Sequence, residues 1–106
     1  NFFGEVIHMH TTYHLCREIM RRNNLTSGYG LSKLMGFSHQ STGRWLQRRG
    51  AFSTDAAIKC AELLSLNPAY TVACARCESE QTDSARKFWE SLVDELKELE
   101  QKTHAA

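Results

Sequence analysis

In this 106-residue chain the residues best equipped for chemistry are His39, Gln40 and Arg44, and the chemistry is recognition by hydrogen bonding, with no bond made or broken. A glutamine amide presents a donor beside an acceptor and can bond adenine bidentately, and an arginine fork matches O6 and N7 of guanine. Lys33, Ser38, Ser41, Arg48 and Arg49 surround these three, and their hydroxyl and cationic donors suit phosphate oxygens, which position a protein without reporting sequence. Gly43 lies among them and adds no side chain. It costs a helix about 1 kcal/mol relative to alanine, a cost that is useful where base edges must come close. Other chemistries find less support. There is no Ser-His-Asp set, no pair of carboxylates suited to a pocket and no phosphate-cradling glycine loop, so an enzyme is not expected. His8, His10 and His14 have no matching carboxylate to complete a metal site, and no cofactor is required. Cys74 and Cys77 form a CxxC without a second pair at zinc-finger spacing and read as buried thiols; the alternative is a redox-active pair whose oxidation tunes DNA binding, which their exposure and thiolate pKa decide.

The recognition residues must be held by helices. Thr11 or Thr12 caps a first helix with Tyr13, Cys16, Ile19 and Met20 at three- and four-residue spacing, ending near Asn23 and Asn24. Ser27 or Gly28 opens a short second helix with Tyr29, Leu31, Leu34 and Met35, broken at Gly36, where positive φ is permitted. Ser38 caps a third, which runs through Gln47 and is ended by Arg48, Arg49 and Gly50. The apolar positions Leu31, Leu34, Met35, Phe37, Thr42, Trp45 and Leu46 pack the second and third helices together and leave His39, Gln40, Ser41, Gly43 and Arg44 outward. Ser53 and Thr54 start a fourth helix with Ala57, Ile58, Ala61, Leu63 and Leu64 on its apolar face, and Asn67 before Pro68 starts a fifth. Thr82 or Asp83 caps a sixth, carrying Ala85, Phe88, Trp89, Leu92, Leu96 and Leu99 as a stripe too large for one short helix to hide. The chain reads as all-α. The single proline and the few aromatic residues among helix formers argue against a β sandwich or barrel.

Charge divides the chain. From Cys16 to Gly50 seven basic side chains stand against Glu18 alone, a local balance of +6, and from Glu78 to Lys102 the balance is −4. The basic half suits a polyanion and the acidic half suits solvent or a protein contact. No apolar run approaches the roughly 18 residues that span a bilayer. The four cysteines fall within apolar helical patterns, which fits a reducing cytoplasm better than a disulfide framework. Residues 1–8 show no helical start signal and precede Met9, and they read as a leader or read-through segment.

The run Phe37-Ser38-His39-Gln40-Ser41-Thr42-Gly43-Arg44-Trp45 resembles the helix-turn-helix of lambda repressor and Cro-like proteins. The stretch from Asp55 to Tyr70, and that through Arg86, Lys87, Phe88, Trp89 and Glu90, are similar to small regulators of filamentous phages and prophages. The resemblance spans roughly Tyr13 to Leu96. It implies a lambda-repressor-like five-helix DNA-binding domain with an additional C-terminal helix, and base-facing roles for His39, Gln40 and Arg44. His39 stands where glutamine is frequent in that family, and Gly43 where a polar side chain often sits.

The expected organisation is a DNA-binding domain over residues 9–80 and a C-terminal helix and tail over 81–106. Phe88, Trp89, Leu92, Leu96 and Leu99 are spaced for pairing with a second helix, so a homodimer is expected. Such a dimer would read a near-palindromic operator on double-stranded DNA and act as a repressor by occluding polymerase. The alternative for Phe88, Trp89 and Leu92 is that they close the monomer's own core. A competing reading of the whole chain is a helical protein-interaction module, an antirepressor or inhibitor of a host protein, acting through the sixth helix.

Overall fold

The computed structural model of the chain describes residues 10–105. They form six helices: α1 (Thr12–Arg22), α2 (Gly28–Met35), α3 (His39–Leu46), α4 (Thr54–Leu64), α5 (Pro68–Ser79) and α6 (Asp83–Ala105). No strand occurs among the described residues, and no helix there is long and apolar enough to cross a membrane. The leader expected over residues 1–8 lies outside the described residues.

Each helix begins where a short polar side chain can take over an orphan backbone donor. The capping oxygens of Thr11, Ser27, Ser38, Ser53 and Asn67 accept from the amides of His14, Gly30, Ser41, Ala56 and Tyr70. Thr82 does the same for Ala85 in α6. Where the sequence offered two neighbouring caps at α1, the structure uses Thr11 and gives Thr12 another task. Thr12 is buried, its backbone N–H and its hydroxyl both donate to Glu78 Oε1 at 2.9 and 2.8 Å, and its hydroxyl oxygen accepts from Phe52 N–H at 2.9 Å. One threonine thus ties α1 to the α3–α4 loop and to the end of α5.

Two apolar clusters hold the helices. The larger joins α1 to α4 through Leu15, Cys16, Ile19, Leu31, Met35, Trp45, Phe52, Ala57, Cys60 and Leu64. Trp45 is its aromatic centre, edge-on to Phe37 at 5.6 Å and to Phe52 at 4.8 Å between ring centroids. The smaller lies between α5 and α6, where Tyr70, Ala73, Cys74 and Val93 are buried and Trp89, Leu92 and Leu96 pack against them. All four cysteines are buried free thiols. Burial is the leading cause that pushes Cys60 up to about 12 and Cys74 up to about 11, and it raises Cys16 and Cys77 too. Thiols so placed act as packing groups, with little thiolate for redox chemistry.

Several side chains sit differently from the periodic reading. Tyr29 and Ile58, assigned to apolar faces, are exposed. Val93, left out of the α6 stripe, is fully buried. The inward stripe is Trp89, Leu92, Val93 and Leu96, one helical step away from Phe88, which therefore points away from α5 and is 65% exposed.

Candidate nucleic-acid interface

α2, the turn and α3 form a compact unit because each junction is locally specified. Gly36 adopts φ +78°, a left-handed conformation that costs other residues about 1–2 kcal/mol. Its N–H and that of Phe37 both donate to the Ser32 carbonyl, and the Ser32 hydroxyl donates to the Phe37 carbonyl at 2.6 Å. The turn is therefore closed by backbone and side chain together. α2 also approaches α3 closely at Gly28, where an added Cβ would lie 3.3 Å from Leu46 Cδ1 and 3.8 Å from Thr42 Cγ2. Thr42 is fully buried on the inner face of α3, where its hydroxyl is satisfied within the helix by donating to the Ser38 carbonyl, and Trp45 is buried beside it, so turning the helix about its axis would pull both out of the core.

With Thr42 and Trp45 inward, the opposite face of α3 is fixed outward. His39, Gln40 and Arg44 are all exposed on it. Gly43 opens the same face, and nothing lies within 4 Å of where its Cβ would be. The Ser38 hydroxyl accepts the Ser41 amide and donates to Ser41 Oγ at 3.1 Å, which leaves the Ser41 proton for an outside acceptor. Lys33 stands on α2 with its ammonium 5.3 Å from the centre of the exposed Tyr29 ring.

The end of α3 carries the remaining cations. Arg48 takes φ +60°, and the Arg49 and Arg48 amides donate back to the carbonyls of Arg44 and Trp45 at 2.8 and 3.2 Å. This Schellman closure is built on an arginine where glycine or asparagine is usual. The Arg48 guanidinium compensates by lying over the Tyr13 ring, 4.1 Å from its centroid. Arg44 turns along the surface and rests its guanidinium against Gly50.

Comparison with family models, with curated proteins and with solved structures finds no match to this chain. The geometry therefore stands by itself.

The other basic group of the N-terminal half is spoken for. Glu18 is only 1% exposed, yet its carboxylate takes two hydrogen bonds of 2.8 Å from Arg21 and one of 2.7 Å from Arg22. Those bonds, Arg21's foremost, hold the Glu18 carboxyl down at about 2 in spite of burial. Arg22 also donates to the Leu64 carbonyl. Among the described residues, no group of three or more His, Cys, Asp or Glu side chains could hold a metal ion.

The five residues assigned to a dimer seam divide between two environments. Trp89, Leu92 and Leu96 are partly covered within the chain by α5, with Trp89 Nε1 also donating to Glu80 Oε2 at 2.9 Å. Phe88 and Leu99 are the exposed members, at 65% and 59%. Periodicity alone missed the Gly50 platform under Arg44 and the Thr12 junction, because both depend on how the α3–α4 loop folds back on the helices. The pairing of Glu18 with Arg21 and Arg22 left a signal, since three- and four-residue spacing on a helix brings opposite charges together.

Proposed function

We propose that this chain binds double-stranded DNA by docking α3 in the major groove, and that it acts as a sequence-specific transcriptional repressor of the lambda repressor and Cro-like kind, of phage or prophage type. One observation carries the reading: α3 is pinned by Thr42 and Trp45 with an outward face of His39, Gln40 and Arg44 that is open at Gly43. An α-helix with that face fits the major groove, and its amide and guanidinium side chains suit base edges and phosphates. The α2 turn, held at Gly36 and Ser32, fixes the angle at which it is presented.

Repression follows by occlusion: a homodimer on a pseudo-palindromic operator covers the polymerase site. Two α3 helices would lie about one DNA turn apart, roughly 34 Å. Phe88 supports pairing through α6, as a large aromatic left outside the α5–α6 core. The place of action is then the bacterial cytoplasm, on the nucleoid when bound. The same exposed Phe88 favours a second reading, in which α6 engages a host protein and α3 is a scaffold.

Selection of bound sequences from a random duplex pool separates the two. Enrichment of an inverted repeat by the wild type, relaxed at one position per half-site by Gln40→Ala, is the expected result. No enrichment, together with loss of activity on Phe88→Ala alone, would transfer the function to α6.

A further inference from the structure

Arg44, Arg48 and Arg49 line one cleft, whose floor is the α3–α4 loop at Gly50 and whose far wall is the end of α5 at Glu78 and Ser79. Arg44 reaches it by crossing Gly50. Its guanidinium atoms lie 3.1–3.5 Å from the position a Cβ on Gly50 would take, so any larger residue there would meet the arginine. Arg48 is held at the mouth by the Tyr13 ring.

The charge balance of this cleft is uneven. None of the three guanidiniums belongs to an ion pair among the described residues, where the pairs are Glu18 with Arg21 and Arg22, and Asp83 with Arg86. The cleft's carboxylate, Glu78, is occupied through Oε1 by Thr12. The C-terminal ends of α3 and α5 each add about half a negative charge. Against three arginines this leaves a surplus of about one positive charge. The Arg48 and Arg49 amides already cap two of the carbonyls that would repel an anion. The three guanidiniums are exposed, so the surplus is open to an entering anion.

We propose that this cleft binds a phosphate group, supplied in the docked complex by the backbone of duplex DNA, and that Arg44 contacts that phosphate in place of a base. In the DNA-bound form the inference rests on α3 docking. Base reading then contracts to His39 and Gln40 at the start of α3, and the end of α5 at Ser79 joins the footprint. Gly50 becomes a positioning residue, acting through Arg44.

The full chain is titrated with mixed-sequence duplexes of about 30 base pairs over a range of salt, comparing wild type with Arg44→Gln and Arg49→Gln. Each variant is expected to lower the slope of log K against log[salt] by about 1 and to weaken all sequences alike. Inorganic phosphate, titrated against the arginine Nε–H resonances, is expected to shift Arg44 and Arg49 and to leave Arg21 still. If duplex binding persists with its slope unchanged in Arg44→Gln, or if that variant relaxes preference at a single base pair, the phosphate role of Arg44 is overturned and the docking of α3 stands. If wild type binds no duplex while phosphate shifts both resonances, the cleft is a site for a free anion and the DNA reading falls. If neither probe moves them, the cleft proposal is wrong.

Discussion

Two groups of arginines sit on this fold, and they are handled in opposite ways. On α1, Arg21 and Arg22 share the carboxylate of Glu18, a residue 1% exposed, and Arg22 also reaches the Leu64 carbonyl at the end of α4 at 3.4 Å. At the end of α3, Arg44, Arg48 and Arg49 stand around a cleft with no ion pair of their own among the described residues. A net count over the N-terminal half treats both groups as one basic patch. The structure separates them: the first is used in holding the fold, and the second is available to a partner. Counting charges per segment locates polyanion binding only after internal pairs are removed.

Breaking each group in turn gives the widest contrast. Replacing Arg44 and Arg49 with glutamine should weaken duplex DNA binding about a hundredfold at 0.1 M salt, about tenfold per lost phosphate contact. Replacing Arg21 and Arg22 the same way should cost less than about threefold in binding, since their charge is already half-neutralised, and should lower the urea midpoint instead. Fluorescence anisotropy with a labelled duplex, paired with denaturant melts, reads both. Equal losses of affinity would erase the distinction.

Acid tests the α1 group separately. The Glu18 carboxyl, held at about 2 against an ordinary 4.5, favours the folded state fully above pH 4.5, and that contribution is lost as pH falls from 4.5 towards 2. His10 acts over a higher window. Burial, helped by the charge of Lys97, lowers it from 6.5 to about 4, so the unfolded chain takes up the proton first and stability declines as pH drops from 6.5 towards 4. Wild type should show both declines in chemical denaturation followed against pH. Glu18→Gln should abolish the lower one, keep the upper one, and raise non-specific DNA affinity a few-fold by freeing two guanidiniums. A single decline unaffected by the substitution would place the pairing energy elsewhere.

The smallest effect concerns Arg48, the strained member of the α3 group. Arg48→Gly relieves about 1–2 kcal/mol of left-handed strain and gives up about 0.5–1 kcal/mol from the contact with Tyr13. A net gain of about 0.5–1 kcal/mol in folding is expected, with weaker DNA binding. Stability rising while binding falls is the pattern of a residue kept for its partner.

The helices themselves were legible because their signals are local. Ser38 and Asn67 precede periodic apolar positions, and Gly36 supplies the one turn among the described residues in which positive φ falls on glycine. Thr42 and Trp45 orient α3 by simple helical spacing, so the outward set of His39, Gln40 and Arg44 was readable from the chain. What the sequence withheld is tertiary. Nothing along the chain signals that Arg44 will fold onto Gly50, that Arg48 will find Tyr13, or that Glu78 will meet Thr12 across 66 positions. On α6 the stripe read from spacing leaves out Val93, which, four positions after Trp89, takes the buried place against α5, while Phe88 stays outside. Adjacent apolar residues such as Leu92 and Val93 make the centre of a stripe ambiguous until its partner helix is known.

DNA binding as proposed depends on the outward face of α3, and Gly43→Glu tests that face most directly. Nothing lies within 4 Å of the new Cβ, and glutamate is the better helix former by about 0.5 kcal/mol, so the fold should be unharmed or slightly stabilised. The added carboxylate would face the phosphates and bases of a docked duplex. Measured beside wild type on the same labelled duplex, Gly43→Glu should retain its melting transition and lose binding by at least about a hundredfold. A variant that melts like wild type and still binds duplex DNA with wild-type affinity would show that α3 is not the reading helix.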